Sequence, residues 1–181
     1  MDYFVNAFLK AATLGSTPSN KLLVLAKFLG NKYASPMDEE ACKLLSLYVA
    51  FVRALYLLHQ QNHWDSQDYG EHLLFQRLYE EAIDLSDDAA ERAIGLCGEL
   101  MLTGTEADIV KKFAPREKSI RSLIESGLAL EQAFQQIAKK TYDSLKEKDM
   151  ITLGLDDLIM AQASVGESHI YLLQQALKGC D

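Results

Sequence analysis

The sequence predicts an all-α fold: four long helices in a bundle, a short helix in the connection between the second and third, and a helical arm in front. Three observations predict it. Apolar residues make up 49% of the 181 residues while there are only 3 Pro and 10 Gly, too few turn-formers for a many-stranded β fold. Four long stretches repeat apolar residues at steps of three and four, the period of a helix with one buried face. The breaks between them, DSQDYG, TGT and MITLG, are short and rich in turn-forming residues.

Residues 1–35 read as the arm and residues 36–181 as the bundle domain. The arm holds two amphipathic patterns, Phe4 to Leu14 and Asn20 to Tyr33, separated by GSTPSN; in the second, Leu22, Leu25, Ala26 and Leu29 share a face. Ser35-Pro36-Met37-Asp38 is a helix start, with Ser35 as the N-cap and Pro36 in the first turn. The first long helix then runs to about Trp64 on the stripe Leu44, Leu45, Tyr48, Phe51, Val52, Leu55 and Leu58. His59, Asn62 and His63 continue that stripe, and polar groups that continue an apolar stripe mark where a buried site would be built.

The second long helix spans about Gln67 to Met101, burying Leu74, Leu78, Ala82, Leu85, Ala89 and Ile94. ADIVKKFA, before Pro115, gives the short helix. The third runs from Glu117 to Lys148, with Lys139, Lys140, Lys146 and Lys148 near the C-terminal end, where they suit the helix dipole. The fourth covers Leu155 to Lys178.

A net charge of -8 disfavours nucleic acid as the main partner. The arm is locally basic, with Lys10, Lys21, Lys27 and Lys32 against Asp2, but it is apolar as well, so DNA is the less favoured use for it. Cys42, Cys97 and Cys180 are too few and too scattered for a disulfide framework, and there is no C-x-x-C; the cytoplasm is the simplest setting. The opening MDYFVNAFLKAATLG has no basic leader, and no apolar run looks long enough to span a bilayer. No Gly-x-Ser-x-Gly and no phosphate loop is present, so hydrolase and kinase readings drop out.

Metal chemistry concentrates between His59 and Gly98. Three of the 4 histidines, His59, His63 and His72, lie here, and Asp87 and Glu91, four apart, present two carboxylates to one point. His72 and Glu91 are separated by a rise of about 28 Å along one helix. One ion cannot touch both ends, so either there are two sites or two copies of the helix run antiparallel across a two-fold axis. No Glu-x-x-His occurs, which argues against a di-iron site of that pattern inside one bundle. His169 faces away from Glu167 and reads as a surface or interface residue, and His59 as a buried hydrogen-bonding residue.

His63-Trp64, the pattern H-x-x-F-x-x-L-Y-x-E-A from His72 to Ala82, and D-x-x-x-E-R from Asp87 to Arg92 resemble the Dps-type miniferritins of the ferritin-like superfamily. The resemblance implies a ferritin-like four-helix bundle assembling into a dodecameric shell. It also implies iron as the metal, with His63, His72, Asp87 and Glu91 as ligands shared between two subunits. Gln76 stands four residues after His72 where the family usually has a carboxylate, and a neutral amide is the weaker ligand for a hard cation. Gln76 and Glu80, with His59 and Trp64, are therefore supporting or weak ligands. The implied activity is ferroxidase, oxidation of Fe(II) with storage of Fe(III) and protection from peroxide. The alternative is a ferritin-like assembly protein whose oxidation centre is disabled.

Overall fold

The computed structural model describes residues 37–102 and 104–180. The arm and its two expected helices lie outside the described residues, as does Ser35. Five helices follow: α1 (Glu39–Asp65), α2 (Tyr69–Cys97), α3 (Thr105–Phe113), α4 (Ile120–Glu147) and α5 (Leu153–Lys178). Among the described residues there is no strand.

The helix starts are set by caps. Asp38, not Ser35, caps α1: its carboxylate accepts from the Ala41 backbone N–H at 2.7 Å, and Glu39 and Glu40 follow in the first turn, where acids suit the dipole. Asp68 caps α2 through the Gly70 N–H, Ser119 caps α4 through the Ser122 N–H, and Thr152 caps α5 through the Leu155 N–H. The second helix ends at Cys97 rather than Met101, because Gly98 takes the left-handed conformation (φ 82°) and returns its N–H to the Ile94 carbonyl at 2.7 Å. Met101 then leaves the helix and gives its N–H to the Ser46 hydroxyl on α1.

Helix directions follow from which ends meet. Lys148, just after α4, pairs with Asp38 and Glu40 at the start of α1, while Asn62 near the end of α1 reaches the Leu123 carbonyl near the start of α4. These two helices are antiparallel. The residue 66–68 turn makes α1 and α2 antiparallel as well, so α2 and α4 run parallel and the connection between them must travel the length of the bundle. Residues 98–102 and 104–119, with α3, lie along that crossing; Ile109 of α3 packs into the core and Glu106 sits 3.8 Å from Arg53 of α1.

The buried positions fall on stripes of alternating three and four. On α1 they are Leu45, Tyr48, Val52, Leu55, His59 and Asn62; on α4, Gly127, Glu131, Phe134, Ala138, Thr141 and Leu145; on α5, Leu155, Ile159, Gln162, Gly166, His169 and Leu173. This is the pattern of near-parallel helix packing. Each fully buried leucine contributes about 1.5–3 kcal/mol relative to exposure. The apolar side chains divide into a large cluster around Leu45, Val52, Leu55 and Phe134 and a smaller one of Phe75, Leu78, Leu123, Ile124 and Leu173. On α2, α4 and α5 the boundary between the two clusters falls near a polar residue, Glu81, Glu131 and His169; α1 contributes to the large cluster alone, and its run there ends at Leu58, beside His59.

Two findings depart from the sequence expectations. Cys42 and Cys97, 55 residues apart, form a disulfide with a Cα–Cα distance of 5.7 Å, because the antiparallel hairpin brings the start of α1 to the end of α2. Spacing along the chain carries no sign of that proximity. By length and composition α1 also proves apolar enough to cross a membrane. Its apolar stripe is buried against the other helices, the pattern of a core helix, and its polar members all have protein partners.

Candidate metal centre

At the middle of the bundle each long helix contributes one side chain to a connected polar network. His59 of α1 and His169 of α5 both donate to the same oxygen of Glu131 on α4: Nε2 of His59 at 2.9 Å and Nδ1 of His169 at 2.7 Å from Oε1. The other ring nitrogen of His169 donates to Oε2 of Glu81 on α2 at 3.0 Å, and Arg77, one turn earlier, holds the remaining Glu81 oxygen at 2.8 Å. His59 and Glu131 have 0% of their surface exposed and His169 1%, so three of the four members are sealed from water.

The charges are mutually supporting. Burial works to raise the Glu131 carboxyl, but the hydrogen bonds and charge of His169 and His59 outweigh it and hold its pKa below the ordinary glutamate range. Burial works to lower the His169 imidazole, yet Glu131 and then Glu81 outweigh that and raise it above the ordinary value. With both ring nitrogens donating to carboxylates, His169 is an imidazolium. Glu81 is likewise held low: burial opposes, and the hydrogen bonds from Arg77 and His169 prevail.

Two buried atoms in this network lack partners, Nδ1 of His59 and Oε2 of Glu131. Glycines lie beside both. A Cβ on Gly127 would come within 3.1 Å of His59 Cε1 and 3.4 Å of its Nδ1; one on Gly166 would come within 3.4 Å of Glu131 Oε2 and 2.5 Å of Gln135 Nε2. Among the described residues, His59, Glu131 and His169 are the one group of three or more His, Cys, Asp or Glu side chains whose ligand atoms, all within 4.8 Å of one another, could share a metal ion.

The residues singled out in the sequence lie elsewhere. His63, near the end of α1, and His72, in the first turn of α2, stack face to face with ring centroids 3.7 Å apart. Each ring donates its Nδ1–H to the other residue's backbone carbonyl, at 2.9 and 3.0 Å, and Tyr79 packs edge-on against His63 at 5.2 Å. Trp64 beside them is 65% exposed. Gln76 donates to Glu80 at 2.8 Å on the α2 surface. Asp87 and Glu91 are exposed farther along α2; Glu91 lines a cleft of about 590 Å³ with Asp88, Arg92 and Asp157. Of the acids in the turn, Asp65 pairs with Lys118 and Asp68 is occupied as the α2 cap.

His169 is therefore not a surface residue, and His59 is the buried hydrogen-bonding residue expected of it. Glu131 and Glu81 were missed altogether. The available signal was the stripe: Glu131 and His169 occupy core positions on α4 and α5, as His59 does on α1.

No protein-family model and no curated protein matches this chain. Among solved structures, a point mutant of Dps1 from Mycobacterium smegmatis superposes with a TM-score of 0.64 over 76% of this chain and 95% of that one, at 17% sequence identity. That likeness, together with the antiparallel hairpins and the full-length crossing between α2 and α4, shows that the chain has the fold of a Dps-type, ferritin-like bundle.

Proposed function

We propose that the protein is a miniferritin-type iron protein whose copies assemble into a closed shell, the dodecamer of the sequence reading. In it, two Fe(II) ions give one electron each to peroxide, with two protons consumed and two waters formed, and the Fe(III) product is stored inside. The ligands are His63 and His72 of one subunit with Asp87 and Glu91 of the next. Trp64, Gln76 and Glu80 stand around them.

The observation that carries this reading is the stacked histidine pair. Because both Nδ1 atoms are committed to backbone carbonyls, a neutral ring at either position keeps its lone pair on Nε2. The two rings are thereby fixed in tautomer and orientation before iron arrives. Asp87 and Glu91 are too far along α2 to join them in the same chain, and a neighbouring copy of α2 running the other way would supply them. Carboxylates favour the harder Fe(III) product, and imidazoles hold Fe(II).

A second reading, a non-catalytic ferritin-like assembly protein, is favoured by Gln76. It is neutral, and its hydrogen bond to Glu80 engages the nearest acid. Anaerobic Fe(II) titration followed by peroxide addition separates the two. For the first reading, oxidation is fast, and His63→Ala or Asp87→Ala slows it at least about tenfold while light scattering shows the assembly unchanged. Unchanged rates remove these residues from the site, and no stoichiometric Fe(II) binding by an intact assembly leaves the second reading. A cytoplasmic setting belongs to the same proposal; the Cys42–Cys97 disulfide is the feature that argues against it.

A further inference from the structure

We infer that the centre of each bundle is a second cation site, complete within one subunit, which takes a borderline first-row divalent ion such as Zn(II), Co(II) or Fe(II) on His59, Glu131 and His169. It does not rest on the interface proposal, since it needs no partner chain and shares no ligand with it.

The geometry supplies three supports. The ligand atoms converge: two imidazole nitrogens lie 2.9 and 2.7 Å from one carboxylate oxygen, and a cation bound there displaces both bridging protons, that of His59 Nε2 to its unpartnered Nδ1 and that of His169 Nδ1 to solvent. Coordination capacity is left over, because Oε2 of Glu131 is buried and unpartnered and can become a second oxygen donor to the same ion. His169 is held from behind: Glu81 accepts from its outer nitrogen at 3.0 Å, the carboxylate–histidine arrangement that fixes a metal-binding ring and raises its basicity.

The donor set decides the ion. Two imidazoles and one carboxylate suit zinc, cobalt and ferrous iron, whereas magnesium and calcium call for oxygen donors throughout. The member of the network nearest solvent is Glu81, half-exposed, whose Arg77 partner lines a surface cleft with Ser164, Glu167, Ser168 and Tyr171. A cation arriving there meets a carboxylate before it meets His169.

Two experiments test this. Crystals of the full chain soaked in CoCl2 or ZnCl2 should give an anomalous peak within bonding distance of Glu131 and His169; a peak only at His63 and His72, or none, overturns the inference. In solution, His72→Ala protein, with helicity checked by circular dichroism, should bind one Co(II) per chain with visible ligand-field absorption, and a hundredfold excess of Mg(II) should not displace it. Glu131→Gln should abolish that binding. Should that variant fail to fold, Glu81→Gln, altered at the half-exposed rim, should weaken Co(II) binding by about 10–100-fold. Co(II) affinity unchanged in a folded Glu131→Gln or Glu81→Gln protein, or no Co(II) bound by folded His72→Ala protein, overturns it.

Discussion

The bundle centre and the histidine pair at the α1–α2 turn use the same residue types in opposite ways. At the centre, His59, Glu131 and His169 come from three helices, are buried, and pair with one another inside a single subunit, with only His59 Nδ1 and Glu131 Oε2 left over. At the turn, His63 and His72 are bonded through Nδ1 to the backbone, and the acids the sequence associates with them stand exposed along α2. The first is closed within one chain by the fold, and the second, in the function proposed above, is completed by another copy. Burial explains the contrast: a carboxylate deep in a bundle must be neutralised within the chain, while an exposed one is left to water or to a partner.

The sharpest way to break this comparison is to delete a member of each. Glu131→Ala leaves an imidazolium and a second imidazole without their acceptor in the core and should cost about 3–5 kcal/mol. His72→Ala removes one ring from a partly exposed pair and should cost about 1 kcal/mol. Urea midpoints of the two variants measure the difference, and equal losses would mean that the centre carries no special electrostatic load.

A smaller effect is expected from Gly127→Ala, whose Cβ would press on His59 at 3.1 Å. Overpacking of this kind costs about 1–3 kcal/mol and the helix preference for Ala over Gly returns about 1 kcal/mol, so a net loss of about 1 kcal/mol is expected, with the iron oxidation proposed at the turn untouched. A stability loss equal to zero would show that His59 can swing away freely.

The smallest expected effect is the pH dependence of chelator-treated protein. Glu131 is held below its ordinary pKa, so its contribution is present above the usual glutamate range and fades as pH falls through the lowered value. His169 is raised, so its contribution is full below the ordinary imidazole pKa and fades as pH rises through the raised value. Stability should therefore peak on the mildly acidic side and decline toward alkaline pH. His169→Gln should flatten that alkaline decline in urea titrations, and an identical profile in the variant would separate His169 from the pH response.

Much of the fold was legible because helices announce themselves locally. The periodicity, the DSQDYG break and the fourth helix to Lys178 are written in neighbouring residues, and the helix limits moved by a few residues where a cap overruled the pattern: the starts at Asp38, Asp68, Ser119 and Thr152 and the end at Gly98. The turn histidines were legible for the same reason: His63 and His72 are nine residues apart and meet across a short break. The bundle centre was not, because its members lie 72 and 38 residues apart on different helices with no repeated spacing between them. What the sequence offered was one polar residue in an apolar stripe, three times over. His59 was noticed because His63 stood near it. Glu131 and His169 had no such neighbour, and without the helix pairing nothing set them on the same level of the bundle.

The Cys42–Cys97 disulfide closes the open end of the hairpin whose other end is the turn at residues 66–68. Helices α1 and α2 with that turn thus form a covalent ring, and all four residues assigned to the interface, His63, His72, Asp87 and Glu91, ride on it. Such a cross-link restricts the unfolded chain by about 4 kcal/mol in the loop-entropy account. Thiol reagents thereby gain leverage over the face that carries the proposed ligands without touching one: reduced, the hairpin can splay from its far end, and oxidised, it stays looped even when the rest of the bundle opens.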